Sequence, residues 1–439
     1  MGIYHITGGK KLNGQLKIGG GKNAILPILA SVVLNGSESV IHNCPKISDT
    51  LISIEMLQSI GCEVKQEGDT LIVDSSTAYN WNVPAHLVRE MRSSFIFLGG
   101  VLGRFGKCNI SYPGGCALGE RSIDLHKMAL RKLGATIIEE HGFIYCSADK
   151  LVGTRINLSK PSVGTTENIM LSSVFAEGET IIDNAAREPE IQDLEIFLNG
   201  MGAKISGAGT SQISIQGIKK LHRVDHTVMP DRIVAGTFLT AAAITGGNVR
   251  LTHINLEHLY PITSKLTETG CAVKMEKDSV YLEAPSKLRP IELITNPHPG
   301  FPTDMQPQFM ALLSLADGVS IVKETVFESR NRHIPELKRM GADISLTDGM
   351  TFIARGVKKL KGASVDAMDL RGGAALILAG LAAEGETTVN NSHYVERGYE
   401  KIEDSLNAIG ADVVLEQHGN QTQTTAEGCS DGANPRPKT

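Results

Sequence analysis

The residues best suited to chemistry lie in one short stretch, Tyr112 to His126, reading YPGGCALGERSIDLH. Gly114 and Gly115 precede Cys116, and Gly119 follows three residues later. A segment with so little side-chain bulk suits a loop presenting a thiol better than a core strand. Arg121 and Asp124 follow at once, and a nearby cation favours thiolate. A lone cysteine is ordinarily a buried structural residue; the glycines argue the other way. A second candidate is Gly19-Gly20-Gly21-Lys22-Asn23, which runs into an apolar helix. Backbone amides at a helix start attract anions, and Lys22 adds a charge. It is not a phosphate-binding Walker loop, since Leu16 and Asn23 stand where that motif needs Gly and Ser or Thr. Asp369-Leu370-Arg371-Gly372-Gly373 repeats the arrangement late in the chain. Arg92 stands between Pro84 and the second apolar helix, and Arg397 follows Glu396 in HYVERGYEK; isolated arginines are usually solvated. Asp304, in HPGFPTDMQ, reads either as a helix N-cap or as a carboxylate held rigid as a general base. Lys160 to Asn168 mixes a cation, hydroxyls and open backbone, fit for a diphosphate or sugar, or for a capping box from Thr166.

The elements that must position these groups recur. A leucine followed by Gly-Ala or Gly-Cys appears at Gly61, Gly134, Gly202, Gly270, Gly341 and Gly410, at intervals of 73, 68, 68, 71 and 69. Leu12, Leu151, Leu221, Leu288 and Leu360 mark a second periodic signature, whose copy near Trp81 is degenerate. Such a period means a repeated supersecondary unit. Each unit reads as a small-residue apolar helix, a strand, an amphipathic helix ended by glycine, and two strands. The apolar helices are Ala24 to Leu34, Ser94 to Gly103, Glu167 to Phe175, Arg232 to Ile244, Gln308 to Ala316 and Gly373 to Ala383. They are apolar around most of their circumference and should be buried. The amphipathic set includes Ile191 to Met201 and Glu328 to Met340.

Counting a preceding strand, the unit is βαβαββ. Three units per core predict an α/β protein of two similar lobes, 22–230 and 1–21 with 231–416, with the boundary near Met229-Pro230-Asp231 and the chain crossing between lobes twice. The opening strand, Ile3 to Thr7, is expected to close the second lobe as a leading strand. The cleft between lobes is the expected ligand site.

Composition narrows the function further. With 43 basic and 48 acidic residues, the net charge of −5 argues against a general nucleic-acid surface. Seven cysteines without a CxxC or Cys/His cluster predict a reduced, cytoplasmic protein with no metal site. No apolar run approaches a membrane span. No GxGxxG follows the first strand, which excludes a dinucleotide-dependent oxidoreductase of that type. Residues 417–439 read as a disordered tail.

These motifs resemble the UDP-N-acetylglucosamine 1-carboxyvinyltransferase family of enolpyruvyl transferases. The resemblance runs from about Ile3 to Glu416, carried by GGKNAILPILA, PGGCALGERSIDLH, SVGTTENIM, AAREPEIQDLEIFLNGMGA, MPDRIVAGTF, PGFPTDMQPQF, ETVFESR, DLRGGAALILAGLAAEG and RGYEKIEDSL. It implies an inside-out α/β barrel, two lobes of three βαβαββ units with helices inside. It also implies the reaction that opens peptidoglycan synthesis. The 3′-hydroxyl of UDP-N-acetylglucosamine attacks C2 of phosphoenolpyruvate while C3 is protonated, and the ketal then loses phosphate. Cys116 matches the family's general acid and Asp304 the carboxylate that takes the hydroxyl proton. Lys22, Arg121 and Arg397 match the cations around phosphoenolpyruvate. Asn23, Arg92, Arg121, Ser122, Ile123, Asp124, Leu125, Lys160, Ser162, Val163, Gly164, Asp304 and Val326 match the nucleotide-sugar side. Asp369 and Arg371 match the second-lobe helix start. No cofactor, nucleic acid or membrane is implied. Ser122 and Val234 depart from the usual proline and glutamate. The related 5-enolpyruvylshikimate-3-phosphate synthases lack the PGGC loop. A non-catalytic UDP-sugar-binding paralogue is the alternative; retention of Lys22, Cys116, Asp304 and Arg397 argues against it.

Overall fold

A computed structural model describes residues 2–114 and 123–417. Six inward helices organise it: α1 (Lys22–Ser31), α2 (Phe97–Phe105), α3 (Val163–Ser173), α4 (Arg232–Ile244), α5 (Gln306–Leu313) and α6 (Leu370–Ala382). In α1 every residue but Asn23 is buried, and in α4 every residue but Val234. Two apolar clusters result. One draws on residues from Ala24 to Val228; the other draws on Tyr4 to Ile18 together with Ile233 to Val413.

Around these helices stand six small sheets. In the first, Glu38–His42 pairs in parallel with Val224–Thr227 and antiparallel with Thr70–Asp74, which pairs in turn with Glu63–Glu67. Burial alternates along Glu38–His42, so one face meets the helices and the other faces outward. The outer helices end where the Gly-Ala signature predicts. Gly61, Gly134, Gly202, Gly270, Gly341 and Gly410 all have φ between 93° and 101°, the left-handed helix stop.

Four units share a further device. Asn43, Asn184, His253 and Asn391 adopt positive φ of 56° to 62° just after the unit's first strand. Each donates a side-chain hydrogen bond to a carbonyl at the end of the neighbouring leading strand: Val228, Leu158, Ile18 and Ala367. The unconventional backbone is thereby held in place by its own side chain.

Two expectations need correction. The strand Gly2–Thr7 is not a leading strand. It lies between Glu386–Asn390 and Val413–Gln417, antiparallel to both, and supplies the last strand of the sixth sheet. The leading strands beside the two crossings are Asn13–Lys17, parallel to Asn248–Thr252, and Val224–Thr227, parallel to Glu38–His42. The helix expected over Glu328 to Met340 spans only His333–Arg339, because the preceding residues form turns around Glu324. The degenerate copy near Trp81 leaves the second sheet three-stranded, with a single parallel bridge at Asn82–Asn109.

The two crossings bond to each other: Gly21 N donates to Met229 O and Asp231 N to Gly19 O. A Cβ on Gly20 would lie 1.9 Å from Asn43 O, so only glycine fits there. Asp231 caps α4 through Ile233 N and Val234 N, and its other oxygen accepts Lys22 N of α1. One carboxylate thus holds the starts of both helices.

Candidate active site

Lys22 and Arg397 converge on Asp49, a residue with no solvent exposure. Lys22 Nζ lies 2.8 Å from Asp49 Oδ2, and Arg397 Nε 2.9 Å from Oδ1. Asp49 stands in the first turn of Ser48–Ile60, where the helix dipole favours an anion. Burial opposes its charge, but Lys22 and Arg397 outweigh it and hold the carboxyl below its ordinary range. Burial in turn presses the Lys22 ammonium down against the pull of Asp49. Gly398 closes the group, since a Cβ there would meet Leu370 Cδ2 at 2.7 Å and Lys22 Cδ at 3.2 Å.

Asp304 forms a second centre in the turn Thr303–Met305 before α5. It is not a helix cap. Arg330 Nη2 reaches Oδ1 at 3.0 Å, and Arg371 reaches Oδ2 through Nε at 3.2 Å and Nη2 at 3.0 Å. Burial alone would raise its pKa, yet Arg371 and then Arg330 hold it well below the usual carboxylate range. The side chain keeps 22% exposure, so one edge stays reachable. The buried Glu324 fixes this turn, accepting Thr303 Oγ1 at 2.9 Å on one oxygen and Thr295 Oγ1 and Val326 N at 2.8 Å on the other. Val326 is thus tied to the same carboxylate as the Asp304 turn. Asp369 caps α6 through Arg371 N and Gly372 N, which aims Arg371 at Asp304.

Part of the set expected on the nucleotide-sugar side, from Lys160 to Gly164, lies at the start of α3. Ser162, not Thr166, caps this helix, accepting Thr165 N; Thr166 Oγ1 accepts Ala186 N instead. Val163 and Gly164 then form the first turn, whose amides have no intrahelical acceptor. Lys160 is exposed beside them. Asn168 Nδ2 lies 2.9 Å from His126 Nδ1, and His126 stacks edge-on to Phe95. Burial, then Arg92, lowers the His126 pKa to about 3, so it is neutral. Ile123 is buried, Leu125 half-buried, and exposed Asp124 pairs with Lys127 at 3.0 Å. Asn23 is half-buried in the first turn of α1. Cys116, Arg121 and Ser122 lie outside the described residues. The five described cysteines are buried, and burial pushes the Cys44, Cys62 and Cys146 thiols up to about 12. None of them is activated.

Several partners were not singled out by sequence reasoning: Asp49, Asp231, Glu324, Arg330 and the buried Glu190–Arg232 pair at 2.9 Å. Arg330 and Glu324 lie in ETVFESR, whose three charged residues gave the only available signal. Arg397 and Asp49 are 348 residues apart, and no local pattern joins them.

The chain belongs to the carboxyvinyltransferase family whose model is described as EPSP synthase (3-phosphoshikimate 1-carboxyvinyltransferase), which matches residues 6–406. The enolpyruvyl transferase NikO from Streptomyces tendae superposes with a TM-score of 0.85 at 27% identity, covering 94% of this chain and 98% of that one. An EPSP synthase from Acinetobacter baumannii shares the fold, with a TM-score of 0.73 at 19% identity, 95% of this chain and 100% of that one. Within the family the chain groups with the UDP-N-acetylglucosamine 1-carboxyvinyltransferases. It is 49% identical to "UDP-N-acetylglucosamine 1-carboxyvinyltransferase 2" of Caldanaerobacter subterraneus subsp. tengcongensis over 94% of this chain and 99% of the relative. It is also 49% identical to "UDP-N-acetylglucosamine 1-carboxyvinyltransferase 1" of Symbiobacterium thermophilum, over 93% and 94% respectively.

Proposed function

We propose that this enzyme transfers the enolpyruvyl group of phosphoenolpyruvate to the 3′-hydroxyl of UDP-N-acetylglucosamine and releases phosphate, the first committed step of peptidoglycan synthesis. The observation that carries the reading is the convergence of Lys22 and Arg397, from opposite lobes, on buried Asp49. A small dianion entering that cleft would meet cations already gathered and largely stripped of water.

The sugar oxygen bonds to C2 of phosphoenolpyruvate as its proton passes to Asp304. C3 takes a proton from Cys116, and the C=C electron pair becomes the new C–H bond. The ketal then loses a C3 proton and its C2–O–phosphate bond, restoring the double bond. Asp304 is a poor base while two guanidiniums hold it. It gains strength when phosphoenolpyruvate offers Arg371 and Arg330 a competing anion. Lys22, Arg397 and Arg121 stabilise the phosphate as it leaves. The nucleotide sugar lies along Asn23, Arg92, residues 121–125 and the start of α3 from Lys160 to Gly164, with Val326 and Asp369 across the cleft. The lobes are residues 22–230 and residues 1–21 with 231–416. The enzyme works in the cytoplasm; among the described residues no helix is long and apolar enough to cross a membrane.

Phosphate release from phosphoenolpyruvate, measured with and without UDP-N-acetylglucosamine, tests the reading. Release only when both are present is expected; none under either condition leaves a non-catalytic UDP-sugar binder. Cys116→Ser is expected to lower turnover at least about 100-fold while calorimetry still detects nucleotide-sugar binding. Loss of that binding would make the thiol structural.

A further inference from the structure

Tyr399 has no role in the chemistry above, yet it lies two residues beyond Arg397 and is only 2% exposed. Its hydroxyl stands 3.0 Å from Thr237 Oγ1 and 3.2 Å from Gln308 Nε2. Thr237 donates its own proton to Ile233 O at 2.8 Å, so toward Tyr399 it accepts. Gln308 Nε2 donates to both oxygens, lying 3.2 Å from Thr237 Oγ1 as well. The Arg371 guanidinium sits over the ring, 5.4 Å from its centroid. Thr237 belongs to α4, Gln308 to α5 and Arg371 to α6. All three inward helices of the second lobe therefore meet on one phenol.

An unpaired hydroxyl in such an apolar interior is costly, so this network fixes the ring's place and tilt. The ring in turn gives Arg371 an electron-rich floor. On its other side the chain has no slack, because Gly398 is wedged between Leu370 and Lys22.

We infer that Tyr399 is a positioning residue: it sets Arg371 against Asp304 and, through Gly398, keeps Arg397 on Asp49 in register with them. The inference rests on the enolpyruvyl-transfer reading, because it assigns Tyr399 to the phosphoenolpyruvate side of the cleft. Most of the nucleotide-sugar side, built on α3, is in the other lobe; Asp304 meets the sugar only at the hydroxyl that reacts, so the loss should fall chiefly on phosphoenolpyruvate affinity.

The test uses the full chain and steady-state kinetics for both substrates, with the pH profile of kcat, in Tyr399→Leu and Tyr399→Phe. Tyr399→Leu is expected to raise KM for phosphoenolpyruvate about tenfold and leave that for UDP-N-acetylglucosamine within about twofold. It should also move the acid limb of kcat to higher pH, because Asp304 loses the full hold of Arg371. Tyr399→Phe keeps the ring and should recover most of the lost phosphoenolpyruvate affinity. If circular dichroism shows Tyr399→Leu unfolded, Thr237→Val replaces it. That variant removes the phenol's acceptor while leaving ring and arginines intact, and should give a smaller shift of the same sign. An unchanged KM for phosphoenolpyruvate, an equal rise in both KM values, or an unmoved acid limb in a folded variant overturns the inference. Wild-type phosphate release is measured alongside. An inactive wild type sinks the reaction assignment, whereas an active one with indifferent variants sinks only the role of Tyr399.

Discussion

Asp49, itself without solvent exposure, holds an ammonium and a guanidinium. Replacing it by Asn leaves Lys22 buried beside a neutral amide. Breaking a buried pair from one side costs about 3 kcal/mol, so Asp49→Asn should lose roughly that much in urea unfolding. Turnover should fall with it, since neither cation keeps its place. The pH dependence divides by sign. The pKa values of Asp49 and Asp304 are lowered on folding. The stability they add is present above the unfolded carboxylate value of about 4 and is lost as pH falls toward their folded values. Glu167 behaves in the opposite way. Burial, with Glu190 and Glu188 nearby, pushes its carboxyl up to about 8. Between about pH 4.5 and that value the folded state binds the extra proton, so stability declines as pH rises. Glu167→Gln removes that slope. Its Tm should exceed that of the wild type at about pH 8, with the gap narrowing toward about pH 5; a constant gap across the range would refute the assignment.

At the scale of elements, close helix packing depends on a few missing side chains. A Cβ on Gly100 of α2 would come within 2.2 Å of Ala30 O on α1, a backbone atom that cannot rotate away. Gly100→Ala should therefore push α2 off α1 and cost about 2 kcal/mol, read from thermal or urea unfolding. A substitution that leaves Tm unchanged would show the helices free to part. Much of this level was legible beforehand. The Gly-Ala stops located the outer helices, and α4 spans Arg232–Ile244 as its apolar pattern predicts. Lys22, Asp304 and Arg371 were singled out from helix starts and charge and Arg397 through the family resemblance, and the three cations come together around Asp49 and Asp304. What could not be read was long-range pairing. Strand hydrogen bonds carry no mark of their partner, so Gly2–Thr7 gave no sign that it fills a position between strands nearly four hundred residues away. Asp304 looks like an N-cap in sequence because its arginines arrive from other segments. The side-chain lock of Asn43, Asn184, His253 and Asn391 was equally hidden, since Asn and His in a loop carry no unique signal. In the fifth unit the corresponding place is held by Thr325, whose Oγ1 donates to Thr295 O, beside the turn that carries Val326.

Over the whole molecule, each lobe is closed by chain distant in sequence. The second core includes Tyr4 to Ile18, and the first sheet needs Val224–Thr227. Deleting residues 2–7 should therefore leave Glu386–Asn390 and Val413–Gln417 without the strand between them. Limited proteolysis should then cut the second lobe first, around residues 386–417, while fragments spanning residues 22–230 resist. Equal digestion of both lobes would show that one cooperative unit spans them.

The strand Gly2–Thr7 also has a consequence in time. It leaves the ribosome hundreds of residues before either of its neighbours, Glu386–Asn390 and Val413–Gln417. Until they are made it lacks both of its hydrogen-bonding partners and is open to chaperones or to a wrong partner. Grafting it by circular permutation onto the other end of the chain would turn the longest wait in assembly into a local hairpin.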